Sequence, residues 1–247
     1  MLLNGKTAIV TGSNRGIGRA ILETFAKEGC ATIWAHTRVE SQDFVKDIST
    51  LSERYDTKII PVYFELTDTD NLKLQIKSII ASKKSLDILV NNAGIAHSGL
   101  FQMTPISKIK EVFDVNLFAG MEITQLVSRA MTRQKYGAII NIASISGLDL
   151  KAGNSAYGVS KAAIAAWTRT LSSELGSSGV RVNAVAPGLT DTRIAKDLNS
   201  QVKCSKIEAS ISGRMATPVE IANAVAFLAS DLASFVNGQV LRVDGGD

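Results

Sequence analysis

Short β-rich runs alternate with longer amphipathic stretches along the whole chain, and that alternation most restricts the folds open to it. The runs are Thr7 to Thr11, Ala31 to Ala35, Ile59 to Phe64, Leu86 to Val90, Ala138 to Ile142, Arg181 to Ala186 and Gln239 to Val243. Seven strands are therefore expected. Between them apolar residues recur every four positions, as in Ile17, Ile21 and Phe25 or Trp167, Leu171 and Leu175, which gives each stretch one apolar stripe. Such alternation builds βαβ units with right-handed crossovers and parallel strands, and strands covered by helices on both faces read as continuous apolar runs. The expected fold is α/β, a doubly wound seven-stranded parallel sheet with helices on both faces, formed by a single domain over residues 1–247. The one long irregular segment, residues 188–217, is expected to be a substrate-binding loop or lid.

Composition excludes several classes. Of the 247 residues 45% are apolar and 20% charged, which is ordinary for a globular domain and too apolar for intrinsic disorder. The net charge of +4 comes from 27 basic and 23 acidic residues scattered along the chain, so no nucleic-acid-binding tail is expected. Cys30 and Cys204 are the only cysteines, only two histidines accompany them, and none has metal-ligand spacing, so no metal is expected. With neither a charged leader nor an apolar run of about 18 residues, the expectation is a cytoplasmic protein without a membrane segment.

Two stretches carry chemistry. The first, Thr11-Gly12-Ser13-Asn14-Arg15-Gly16-Ile17-Gly18, stands between the first strand and the first helix. Glycines there let the backbone approach a pyrophosphate, and the N–H groups and dipole of the helix start favour its charge. Without that ligand the same residues would form an ordinary glycine-rich turn. The second is Ser144, just past the fifth strand, with Tyr157 and Lys161 four residues apart near the start of a helix. That spacing puts phenol and ammonium on one face, where the cation is expected to depress the phenol pKa toward neutrality. A pair at this spacing also arises by chance as an exposed Tyr and a solvated Lys, but Ser144 at the carboxyl end of a strand favours a ligand site. Asn116 follows Val112 by four and Phe113 by three, a polar group on an apolar helix face that needs a partner.

Taken together, the chain resembles a short-chain dehydrogenase/reductase over its whole length. The resemblance rests on Thr11-Gly12-x-x-x-Gly16-x-Gly18, Asn91-Asn92-Ala93-Gly94, Asn116, Ser144 with Tyr157 and Lys161, and Pro187-Gly188 with Thr192. Within the family it is most similar to 3-oxoacyl-[acyl-carrier-protein] reductases. The resemblance implies a Rossmann-type domain in which Tyr157 donates a proton to a carbonyl, Ser144 orients it, Lys161 binds the nicotinamide ribose, and Asn116 holds a relay water. It also implies that Asn91, Ala93 and Gly94 shape the cofactor pocket, that Pro187, Gly188, Thr190 and Thr192 meet the nicotinamide, and that Glu65 and Leu66 lie near the adenine. An acyl carrier protein as partner, met by Arg129, and a homotetramer are implied as well. Ser178 departs from the family by standing where a second basic residue is often found.

A carboxylate at the end of the second strand is the usual mark of NAD preference. Here that strand ends Trp34-Ala35-His36-Thr37-Arg38, and Arg15, Thr37 and Arg38 suit a 2′-phosphate, so NADP(H) is favoured over NAD(H). Arg15 and Arg38 as solvated surface charges remain the alternative. Other functions to be distinguished are a dehydrogenase acting on a sugar, a steroid or another secondary alcohol, and a catalytically silent dinucleotide-binding regulator.

Overall fold

The computed structural model describes residues 1–82, 85–196 and 200–246. All seven expected strands form: β1 (Thr7–Val10), β2 (Thr32–Thr37), β3 (Lys58–Tyr63), β4 (Ile88–Asn91), β5 (Gly137–Ile142), β6 (Val180–Pro187) and β7 (Val240–Val243). They lie parallel in the order β3-β2-β1-β4-β5-β6-β7. The chain starts at the centre, winds outward to β3, returns to lay β4 beside β1, and winds outward again to β7. Its carboxyl ends diverge between β1 and β4, where a doubly wound sheet opens a ligand crevice.

The helices are α1 (Gly16–Lys27), α2 (Gln42–Tyr55), α3 (Thr69–Ala81), α4 (Ile106–Phe113), α5 (Ala119–Gln134), α6 (Ser146–Asp149), α7 (Tyr157–Leu175), α8 (Arg193–Lys196), α9 (Ser200–Ala209) and α10 (Pro218–Ala229). Successive strand residues point to opposite faces, so both faces of the sheet need apolar cover. In β4, Ile88 and Val90 join Ile21, Phe25, Val225 and Leu228 beneath α1 and α10, whereas Leu89 joins Leu72, Ile76, Ile123 and Val127 beneath α3 and α5. These are the two layers that the alternation predicts.

Three local expectations are corrected. The segment 188–217 is not wholly irregular, since it contains α8 and α9; Ser200 to Ala209 has no apolar stripe in its sequence and so gives no helical signal. Residues 197–199 of that segment lie outside the described residues. Thr217 caps α10 in a reciprocal capping box with Glu220, with Pro218 at its first position, and this closes the segment where expected. The stripe Trp167, Leu171, Leu175 packs against the core but stays half-buried, and the fully buried face of α7 is Lys161, Ile164, Ala165, Thr168 and Ser172. Finally, the helical stretch from Ile106 to Lys135 is interrupted by a π-helical turn, Asp114–Phe118, that holds Asn116.

Candidate active site

The loop after β1 is built for close approach. Gly12 has φ +65°, and a Cβ on it would stand 2.8 Å from the Ala93 Cα, while one on Gly18 would run into the Gly12 carbonyl oxygen. β1 and β4 are thus pressed together at their exits as only glycine permits. Asn92 fastens the join: its amide donates to the carbonyls of Thr11 at 2.8 Å and Gly12 at 3.0 Å, and its N–H donates to Thr11 Oγ1 at 2.9 Å. Arg15, the N-cap of α1, makes no side-chain cap, and no acid stands in the first turn, so the helix start suits an anion. Asn14 and Arg15 are exposed, Gly16 and Ile17 half-buried, and Gly16 packs against Thr192.

Ser13 is turned away from this crevice. It is buried, and both its N–H and its hydroxyl donate to the His36 carbonyl at 2.9 Å. The His36 ring lies beneath the loop, with Nδ1 accepting from Gly12 N–H at 3.3 Å, Nε2 2.9 Å from the Phe64 carbonyl oxygen, and its face tilted on the Phe64 ring. Burial pushes the imidazole pKa down to about 4, opposed by the bond to Phe64, so His36 is neutral at physiological pH.

At the other end of the crevice, Ser144, Tyr157, Lys161 and Asn116 converge. Lys161 is buried and donates to the Ile142 carbonyl at 2.7 Å, with its nitrogen 5.9 Å from the Tyr157 ring centroid. Asn116 closes a cyclic pair with Ile95, accepting its N–H at 2.8 Å and donating to its carbonyl at 3.0 Å, and it also donates to Ser160 Oγ at 3.1 Å. Gly94 keeps the space between them open, since a Cβ there would stand 3.0 Å from Asn116 Oδ1 and 3.6 Å from Lys161 Nζ. The Ser144 hydroxyl lies near the Tyr157 phenol and favours its ionised form.

The electrostatics differ from expectation. Lys161 does not depress the Tyr157 pKa; burial raises it, with the Ser144 bond pulling the other way. Burial also lowers the Lys161 pKa to about 8. Helical spacing brings the two together, but desolvation of each outweighs their attraction when the lysine points at a carbonyl rather than at the phenol.

At the adenine end, Arg38 is exposed and its Nε stands 3.8 Å from Glu65 Oε2, so a carboxylate does stand beside the cation that is expected to take a 2′-phosphate. Thr37 is buried, with its hydroxyl donating to the Val39 carbonyl, and Leu66 N–H donates to Glu65 Oε1 at 3.0 Å. At the β6 exit Thr190 donates to the Gly188 carbonyl at 3.0 Å and Thr192 to that of Thr190 at 3.3 Å, while Pro187 ends the strand and Gly188 follows it. The Asn91 side chain leaves the crevice, donating to Thr124 and Asn141 below the sheet. His36, Ile95 and Ser160 are the residues that sequence reasoning missed around the site, with Asn92 named only within its motif; a lone histidine at a strand end was the readable sign of one of them.

The chain is similar to known proteins over almost all of its length. A family described as Enoyl-(Acyl carrier protein) reductase matches residues 12–247. A 3-oxoacyl-[acyl-carrier-protein] reductase from Chlamydia trachomatis serovar D is 38% identical over 246 residues, covering 99% of this chain and 98% of that protein. A 3alpha-hydroxysteroid dehydrogenase from Mediterraneibacter gnavus is also 38% identical over 246 residues, with the same coverage. Among solved structures, a protein assigned as an NAD(P) dependent gluconate 5-dehydrogenase from Beutenbergia cavernae, with NADP bound at low occupancy, superposes with a TM-score of 0.91 at 34% identity, covering 98% of this chain and 96% of that one. With a Gly-rich crevice at the sheet's switch point and likeness over its full length, the chain belongs to the short-chain dehydrogenase/reductase family, the NAD(P)-dependent oxidoreductases of CH–OH groups.

Proposed function

We propose that the protein reduces a 3-oxoacyl thioester carried by acyl carrier protein to the 3-hydroxyacyl form, with NADPH as reductant. The observation that carries the reading is the Tyr157 phenol standing beside Ser144, its ring centroid 5.9 Å from the buried Lys161 ammonium, with burial raising the phenol pKa. A group that keeps its proton at neutral pH is a donor, and two hydroxyls at one point suit one carbonyl oxygen. The nicotinamide, when bound, supplies the hydride. Ser144 orients the carbonyl, and Tyr157 gives its proton to the oxygen as charge develops there. Lys161, with a pKa near 8, holds a replacement proton and binds the ribose. Asn116, fixed by Ile95 and Ser160, holds the wall along which a relay water links Lys161 to solvent.

Gly12 to Gly18 with Ala93 and Gly94 would line the cofactor crevice, Arg15 and Arg38 would take the 2′-phosphate, and residues 188–217 would cover the substrate. Arg129, exposed on α5, is the carrier's contact in this reading. Exposed Phe101, Met103, Ile106 and Phe118 beside α4 and α5 favour a homotetramer, and the unpaired thiols of Cys30 and Cys204 suit the cytoplasm. The second reading is a hydroxysteroid or sugar-acid dehydrogenase, favoured by the equal likeness to the Mediterraneibacter enzyme. The test measures NADPH and NADH absorbance with carrier-linked 3-oxoacyl thioesters, 3-oxosteroids and keto-gluconates. The highest kcat/KM on the carrier-linked thioester with NADPH supports the proposal, and the highest value on either other class replaces it.

A further inference from the structure

Three strand exits meet next to the candidate site. β5 leaves through Ser144 into α6, β6 through Pro187 and Gly188, and β7 through Asp244 into the tail at Gly245 and Gly246. Ile145 N–H donates to the Pro187 carbonyl at 3.1 Å, and a Cβ on Gly188 would stand 2.7 Å from the Asp244 Cα. The tail carries the returning end of the β6–α10 connection. Ser212 donates to the Gly245 carbonyl from its N–H at 3.1 Å and its hydroxyl at 3.0 Å, Ile211 N–H to Gly246 at 3.3 Å, and the Ser210 hydroxyl to Asp244 at 3.2 Å.

One side chain spans two of the exits. Arg242 donates from Nε to Asp244 Oδ2 at 2.7 Å, from Nη1 to Asp149 Oδ1 at 2.8 Å and from Nη2 to Asp149 Oδ2 at 3.5 Å. The Asp244 side chain is 8% exposed, that of Asp149 26% and that of Arg242 35%, so the fork lies at the surface with the Asp244 carboxylate shielded from water. Planar guanidinium suits this double grip, and an ammonium, a single point charge, does not.

We infer that Arg242 is a positioning residue: by gripping Asp149 and Asp244 together it holds the Ser144–Asp149 segment against the tail from which the Ser210–Ser212 end of the substrate connection hangs. The inference rests on the reading of Ser144 and that connection as the ketone site. Arg242 touches no reacting atom; it acts through Asp149 on the wall that the substrate meets, and so on KM.

The experiment compares wild type with Arg242→Gln, Asp149→Asn, the double variant and Arg242→Lys. KM and kcat are measured for a reducible carbonyl compound, Kd for NADPH, and hydrogen–deuterium exchange for peptides covering residues 145–150 and 209–216 in the NADPH complex. Each neutralised variant is expected to raise KM about 10-fold while kcat and the NADPH Kd stay within twofold. The double variant should be no worse than either single one, Arg242→Lys should fall between, and exchange should quicken in both peptides together. Unchanged KM and exchange, strictly additive losses, or a rise in KM matched by parallel losses of kcat and cofactor affinity would each overturn the clamp. If no carbonyl compound is turned over, the reading of the site fails, and joint or independent exchange in the two peptides still decides the inference.

Discussion

Asn116 pairs with Ile95 as one strand residue pairs with another, its side-chain amide accepting the backbone N–H and donating to the backbone carbonyl. The loop after β4 is thereby held by a side chain from a helix, immediately beside Lys161. Asn116→Ala removes these bonds together with the one to Ser160, leaving buried polar groups unpaired, and is expected to cost about 2–4 kcal/mol. Urea unfolding measures the cost, and a loss below about 1 kcal/mol would show that the pairing is dispensable. Asn116→Asp keeps only the acceptor and should fall between.

Tyr157→Phe removes one hydroxyl from the Ser144–Tyr157 pair and leaves the Gly-rich crevice untouched. NADPH affinity should stay within twofold while kcat falls by roughly 10²–10⁴, the range for a lost general acid. Ser144→Ala should lower kcat less. Stopped-flow turnover with fluorescence titration of the cofactor checks both, and near wild-type kcat in the Phe variant would end the assignment.

His36 ties stability to pH. Its folded pKa of about 4 lies below the ordinary 6.5, so between these values the unfolded chain binds the proton more readily. Stability is complete above pH 6.5 and is lost as pH falls toward 4, by on the order of 3 kcal/mol. His36→Gln should flatten the profile in that window. Unfolding curves at about pH 7, 5.5 and 4.5 measure the slope, and equal slopes in both proteins would dismiss the link.

Cofactor choice should turn on Arg38 and its neighbour. Arg38→Asp replaces a cation with a repulsive charge and is expected to weaken NADPH binding by roughly 10- to 100-fold with little effect on NADH. Glu65→Gln removes the carboxylate 3.8 Å from that cation and should tighten NADPH binding severalfold. Titration of both cofactors against both variants decides, and an Arg38→Asp protein that still binds NADPH as before would move the phosphate site elsewhere.

The sheet was legible because its signal is local: apolar runs bounded by turns place all seven strands to within two residues. The site was legible in its membership, since Tyr157 and Lys161 share a helix face by spacing alone. Their titration was not, because desolvation depends on what surrounds a group and spacing carries no measure of that. Asn91 and Asn92 differ in a way that was readable. Strand alternation puts Asn91 on the face of Leu89, toward Thr124 of α5, and leaves Asn92, past the strand end, to hold the phosphate loop. α9 was hidden for lack of a stripe, and the stripe of α7 shows only the edge of its inward face, whose centre carries Lys161 and Thr168 beside Ile164.

The π-helical turn at Asp114–Phe118 fixes the phase of every residue of α5 relative to α4. Each residue added to a helix rotates the remainder by about 100°, so the wide turn works as a gear offset between the two helices. Within the turn Asn116 faces Ile95 and Ser160, and beyond it Ile123, Val127 and Met131 face the sheet. Deleting one residue from the turn would give a more regular helix, and one that is out of step. Either the amide or the three apolar side chains would swing away from their partners. The irregularity therefore lets a single helical run answer to two different neighbours, and a chain that straightened it would have to give up one of them.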